Sequence, residues 1–287
     1  MNELRGLGTA LITPFKADGS VDFEALARLL DTQLTGHVDY IVVLGTTGEA
    51  ATMTEEEKRE VRTFIRKYVN GRLPLVLGVG GNNTAAVCES LQTIDLTGFE
   101  AILSVCPYYN KPNQEGLYQH FCAVAKASPV PVILYNVPGR TGVNLLPETV
   151  MRIYDAHPDK IAGIKEASGN VEQIKRLMDE RRKANADFLV ISGDDGIACE
   201  IMEAGGAGLI SVASNAFAED FGDIVHKKDQ AKQAQYDEMV RLLFKEGNPV
   251  GIKAVLAQKG IIQNYLRLPL VPASKELQED IKKEMAK

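Results

Sequence analysis

Residues 161–192 read IAGIKEASGNVEQIKRLMDERRKANADFLVIS, and the fold turns on this stretch. It opens on a nearly continuous apolar run, 161–165, and closes on another, 188–192. Between them Val171, Ile174, Leu177 and Met178 recur at helical spacing and share one face. Strand, amphipathic helix and strand in that order form a parallel βαβ unit, because strands covered on both faces need no polar alternation.

The same rhythm runs outward in both directions. Further β-rich runs fall at 7–12, 40–44, 75–79, 101–105, 130–135 and 208–212, which brings the number to eight. Helical stripes separate them, such as Phe23, Leu26, Leu30 and Leu34, or Val61, Phe64, Ile65 and Tyr68. Asp22 reads as an N-cap, Thr54 with Glu57 as a capping box, and Pro147 as a first-turn proline. Eight strands alternating with helices predict an α/β fold, a (β/α)8 TIM barrel over residues 1–224. A doubly wound sheet is the rival, weakened because no G-x-G-x-x-G turn follows the first strand. Helical patterns at 230–246, 249–259 and 274–284 predict a small C-terminal helical extension over 225–287.

Composition narrows the function classes. The 32 Lys and Arg are outnumbered by 38 Asp and Glu, and they are scattered, which argues against a nucleic-acid partner. No apolar segment is long enough for a membrane span, and residues 1–6 show no signal-peptide stretch, so a cytoplasmic protein is expected. Cys88, Cys106, Cys122 and Cys199 form no C-x-x-C pair and read as reduced core residues. His37, His120, His157 and His226 match no metal-site spacing, so no metal is expected.

Barrel enzymes work where the strands end, at their C-terminal edge. The strand ends here carry Gly45-Thr46-Thr47-Gly48-Glu49, Pro107-Tyr108-Tyr109-Asn110, Tyr135 through Gly142, Gly163-Ile164-Lys165-Glu166, Ser192-Gly193-Asp194-Asp195 and Ile210-Ser211. Lys165 closes an apolar run and shares a strand face with Ile161 and Gly163. Buried there, its amine could attack a ketone, with Gly163 leaving room for the side chain; the plainer alternative is an ion pair with Glu166 or with an Asp at the barrel rim. Tyr135 ends the neighbouring strand, so its phenol could shuttle protons, or simply pack. Thr46 and Thr47, between two glycines that permit a sharp turn, could converge on a carboxylate or cap the next helix. Arg140 could fork onto a second carboxylate or stand at the surface. Asp194 and Asp195 repel phosphate, so an unphosphorylated keto acid fits better.

Taken in order, Gly45-Thr46-Thr47-Gly48-Glu49, Tyr135-Asn136-Val137-Pro138 with Arg140-Thr141-Gly142, and Gly163-Ile164-Lys165-Glu166 resemble the dihydrodipicolinate synthase family. That family belongs to the N-acetylneuraminate lyase superfamily, and the resemblance runs from Thr13-Pro14 to Leu268-Pro269. It implies a class I aldolase-type condensation of pyruvate with L-aspartate-4-semialdehyde to 4-hydroxy-tetrahydrodipicolinate, on the route to diaminopimelate and lysine. By the resemblance Lys165 forms the Schiff base, and Tyr135, Thr46 and Tyr109 form a proton relay. Tyr109 would come from a neighbouring subunit. Thr47 binds the pyruvate carboxylate, Arg140 that of the semialdehyde, and Gly193 and Ile210 line the site through backbone carbonyls. The family is usually a homotetramer and needs no organic cofactor, so a tetramer or dimer is expected. The stretch 215–248 is about two helical turns shorter than in many relatives, which bears on the tetramer. In lysine-inhibited members the allosteric pocket uses Ser, two His and Glu where this chain has Ala50, Glu55, Lys58 and Ala86, while Asn82 and Tyr108 match. Weak or absent lysine feedback follows. A sugar-acid lyase of the same superfamily, such as one cleaving N-acetylneuraminate, is the enzymatic alternative; a silent keto-acid-binding barrel is the alternative of another class.

Overall fold

The apolar run that opens the deciding stretch is buried at every position and forms β6, Ile161–Glu166. A computed structural model describes residues 2–287, except for the side chain of Asn2. The other strands are β1 (Gly6–Ala10), β2 (Tyr40–Val43), β3 (Leu75–Gly78), β4 (Ala101–Val105), β5 (Val132–Asn136), β7 (Leu189–Ser192) and β8 (Gly208–Ser211). They form a closed barrel in chain order, and the strand pairs run parallel. The (β/α)8 barrel expected from the sequence is therefore present. Helices alternate with the strands: α1 (Phe23–Thr35), α2 (Glu55–Val69), α3 (Thr84–Thr93), α4 (Gln114–Ala127), the single turn α5 (Pro138–Thr141), α6 (Pro147–Ala156), α7 (Val171–Lys183), α8 (Ala198–Glu203) and α9 (Ala218–Lys227). The C-terminal helices α10 (Gln230–Phe244), α11 (Val250–Gln258) and α12 (Lys275–Met285) follow.

The helix starts are set by local chemistry. Asp22 accepts the Ala25 N–H at 3.0 Å, and Thr54 and Glu57 complete a reciprocal capping box. Pro147 occupies the first turn of α6. In α7, Asn170 caps Gln173, Glu172 sits in the first turn, and Arg181, Arg182 and Lys183 fill the last, each sign complementing the helix dipole.

Two strand limits differ from the expected ones by two residues, for identifiable reasons. The β1 ladder stops before Ile12 because that N–H is taken by Asn215 Oδ1 at 3.0 Å. β5 starts at Val132 because Ser128 Oγ holds the Val130 N–H and Pro131 has none to give. The cysteines also need correction. Cys106 and Cys199 are buried as expected, but Cys88 and Cys122 are only half-buried. They lie one position off the buried stripes Val87–Leu91 of α3 and Leu117–Phe121 of α4.

The described residues pack as two compact units, Pro74–Ile210 with residues 2–5, and Gly6–Leu73 with Ser211–Lys287. The first is built around β3 to β8, with Ile102, Ile133, Leu134, Ile164 and Ile191 in its core. The second combines β1, β2, α1, α2 and the C-terminal helices over Leu26, Leu30, Ile41, Phe221 and Leu256. Within it α11 is buried from Val250 to Leu256. Gly251 permits close packing there, since a Cβ would lie 2.4 Å from the Leu243 carbonyl oxygen. Glu57, besides capping α2, receives Arg267 at 2.9 and 2.5 Å. The guanidinium holds the Glu57 carboxyl down at about 2. No helix among the described residues is long and apolar enough to cross a membrane.

Candidate active site

β5 and β6 pair so that Tyr135 lies opposite Lys165 and Asn136 opposite Glu166. Alternation along each strand sends the first pair to one face of the sheet and the second pair to the other. Lys165 Nζ lies 4.5 Å from the centroid of the Tyr135 ring, and both residues are buried. On the opposite face Asn136 Nδ2 reaches both Glu166 oxygens at 3.1 and 3.0 Å. The Ser168 N–H adds a bond at 2.9 Å and Gln173 Nε2 another at 3.2 Å. Burial raises the Glu166 pKa, and these donors, Asn136 first, oppose the rise. The carboxylate next to Lys165 in sequence is thus turned away and satisfied elsewhere. Among the described residues the Lys165 amine forms no ion pair or hydrogen bond. The ion-pair alternative is not what the fold builds.

Space for the lysine comes from an unexpected glycine. A Cβ at Gly163 would meet Leu189, with its carbonyl oxygen at 2.4 Å, so Gly163 serves the close approach of β7. A Cβ at Gly193 would lie 2.8 Å from Lys165 Cε. Gly193, not Gly163, leaves the room, and the structure brings it together with Lys165 and Tyr135.

The remaining candidates of this unit stand at or just beyond strand ends. Tyr109 follows β4 with its backbone in the left-handed region, φ 74°, and is 89% exposed. Its loop is pinned on either side, where Asn82 Nδ2 donates to the Tyr108 carbonyl at 3.0 Å and Asn110 Nδ2 to the Asn82 carbonyl at 2.9 Å. Arg140 is exposed on α5, whose C-cap Gly142 has φ 73°. Ile210 is buried near the end of β8.

In the second unit Thr46–Gly48 form a 3-10 turn after β2. The left-handed positions that bend this loop are Leu44 and Glu49, at φ 56° and 54°, rather than the two glycines. Gly48 instead permits close approach, since a Cβ there would lie 3.2 Å from the Leu11 carbonyl. Thr46 is exposed, whereas Thr47 is buried and its hydroxyl accepts from Asn248 Nδ2 at 2.9 Å. Glu49 forms an ion pair with Lys253, wholly buried in α11, and accepts the Arg267 N–H at 3.1 Å. Sequence reading missed Asn248, Lys253 and Arg267. One signal was present: a lone lysine inside the apolar run VGIKAVLAQ, which a buried helix tolerates only with a partner.

The sequence profile of the dihydrodipicolinate synthetase family matches residues 3–287. The chain belongs to this family. The 4-hydroxy-tetrahydrodipicolinate synthase of Parabacteroides distasonis is 50% identical over 276 residues, covering 94% of this chain and 92% of the relative. The dihydrodipicolinate synthase of Thermotoga maritima superposes with a TM-score of 0.95 at 39% identity, covering 98% of this chain and 97% of that structure. The chloride-inhibited enzyme of Acinetobacter baumannii, solved with pyruvate, gives 0.93 at 36% identity over 99% of this chain and 98% of its own. The family profile extends through α12, so the C-terminal helices belong to the family architecture.

Proposed function

We propose that this chain condenses pyruvate with L-aspartate-4-semialdehyde to 4-hydroxy-tetrahydrodipicolinate through an imine on Lys165. The observation that carries this reading is a buried lysine without an ion pair, packed on the ring of Tyr135 at the ends of adjacent strands. The amine adds to the pyruvate ketone, and the carbinolamine loses water to give the imine. Loss of a C3 proton then gives an enamine, whose carbon attacks the semialdehyde carbonyl. The acceptor's own amine closes the ring and releases Lys165. Each proton transfer needs a group beside the reacting carbon, and Tyr135 is so placed. Thr46 and Tyr109 are assigned to the same relay. The exposure of Tyr109 suits a residue that completes the site of a second copy, so the working form is a dimer or tetramer in the cytoplasm. Thr47 receives the pyruvate carboxylate, and Gly193 and Ile210 offer backbone carbonyls.

The test is turnover of the two substrates, followed by a reductase that consumes the product. Faster cleavage of N-acetylneuraminate or a deoxy-keto sugar acid would replace this reading with the lyase. Arg140→Ala should raise the semialdehyde KM about 10- to 100-fold, the worth of a charged hydrogen bond, with the pyruvate KM nearly unchanged. An unaltered semialdehyde KM would remove Arg140 from the site.

L-lysine is expected to inhibit weakly or not at all. Glu55 and Lys58 pair with each other at 2.7 Å, and Ala50 and Ala86 offer no polar side chain. Initial rates across a lysine titration that saturates a sensitive relative will decide; strong inhibition contradicts the expectation.

A further inference from the structure

We propose that Asn248 is a positioning residue that sets which way the Thr47 hydroxyl points its hydrogen, and so makes Thr47 a donor to the pyruvate carboxylate. The proposal rests on the reading that Thr47 receives that carboxylate.

A threonine hydroxyl has one hydrogen to give and two lone pairs to receive with. Left to itself in a tight turn, it commonly donates to a nearby backbone carbonyl. Two neighbours do so on this loop: Thr13 Oγ1 donates to the Gly48 carbonyl at 2.8 Å, and Thr52 Oγ1 to that of Glu49 at 3.0 Å. Thr47 differs. Its oxygen accepts from Asn248 Nδ2 at 2.9 Å, and among the described residues it donates to no acceptor. An amide N–H on one lone pair leaves the hydroxyl hydrogen directed away from Asn248. A carboxylate is an acceptor only, so this is the polarity that a bound keto acid needs. Had the oxygen of Asn248 faced Thr47, the hydrogen would be spent inside the protein.

Both partners of this bond are buried, and Nδ2 rather than Oδ1 is the atom of the asparagine amide that bonds Thr47. Asn248 is 7% exposed and Thr47 3% exposed, so water does not compete freely for the bond. Five residues beyond Asn248, Lys253 pairs with Glu49, two residues beyond Thr47. Arg267 N–H bonds the same Glu49 carboxylate at 3.1 Å. The C-terminal segment therefore grips the loop at two side chains. The Glu49 grip fixes the backbone, and the Thr47 grip fixes the direction of one proton.

The experiment compares steady-state kinetics of the full-length wild type with Thr47→Val, Asn248→Ala, Asn248→Asp and the Thr47→Val/Asn248→Ala double variant. Melting temperatures and borohydride trapping with pyruvate establish that each is folded. Asn248→Ala is expected to raise the pyruvate KM about tenfold, near the worth of one hydrogen bond, with kcat within about threefold. Asn248→Asp, nearly the same shape but lacking the N–H, should raise it further, because the hydroxyl then turns toward the protein and a second anion faces the substrate. The double variant should be no worse than Thr47→Val alone, since the two residues act through one hydroxyl. A raised KM in Thr47→Val with no change in either folded Asn248 variant overturns the proposal. So do additive effects in the double variant, which mean that Asn248 acts independently of Thr47. An unchanged pyruvate KM in Thr47→Val removes the assignment beneath the proposal, a result distinct from both. If Asn248→Ala fails to fold, Asn248→Asp carries the same comparison.

Discussion

Lys165→Ala is expected to lower turnover by about 10⁴-fold or more and to leave no adduct for borohydride to trap. The geometry makes both halves of this expectation specific. Nothing among the described residues pairs with Lys165, and its sequence neighbour Glu166 is occupied by Asn136, Ser168 and Gln173 on the other face of the strands. Removing the lysine therefore takes away no ion pair, and the variant should fold with little change in melting temperature. Tyr135→Phe offers the contrast. It keeps the ring that packs under Nζ but removes the hydroxyl, so turnover should fall about 10²-fold or more while trapping persists, more slowly. Wild type treated with pyruvate and borohydride should carry one reduced adduct, mapped to the peptide containing Lys165. A folded wild type that traps nothing sinks the imine mechanism, and a Lys165→Ala variant that still traps moves the nucleophile elsewhere.

The elements legible in the sequence are those whose determinants are local. β6 and β7 announce themselves because both faces are covered and the apolar run is unbroken, and the stripe of α7 lies between them. Lys165 and Tyr135 were readable for the same reason: consecutive strands of a parallel barrel are neighbours, and parity along each strand fixes the face. What escaped reading depends on groups remote in the chain. Asn215 ends β1 from 203 residues away, and Asn248 reaches Thr47 across 201. No periodicity records such pairs. Glu166 was visible only as an alternative partner for Lys165, because its true partners Asn136 and Gln173 sit on other elements. The glycines misled in a related way. Composition flags a residue that permits sharp turns, but only the packed backbone tells whether a glycine serves a turn, as at Gly142, or a close approach, as at Gly163 and Gly193.

Lys253→Met should destabilise the protein by about 3–5 kcal/mol, the usual cost of leaving one member of a buried ion pair without its partner. Lys253 has no exposed surface and Glu49 is 3% exposed, so the orphaned carboxylate could not reach water without moving the loop that carries Thr47. The lysine also donates to the Tyr265 carbonyl at 3.0 Å and lies 4.3 Å from the Phe15 ring centroid, contacts that methionine replaces only in part. Burial lowers the Lys253 pKa and the Glu49 charge pulls it back up, so the ion pair offsets part of the cost of burying the lysine. Removing both charges should therefore cost less than removing one. Lys253→Met/Glu49→Gln is expected to recover at least half of the single-variant loss, the remainder reflecting the Arg267 N–H contact and the packing around Phe15. Urea unfolding of the four proteins of this cycle gives the coupling directly. A single variant as stable as wild type would mean that the loop moves and brings the Glu49 carboxylate to water. A measurement of pyruvate KM on the same samples checks this, since such a movement displaces Thr47.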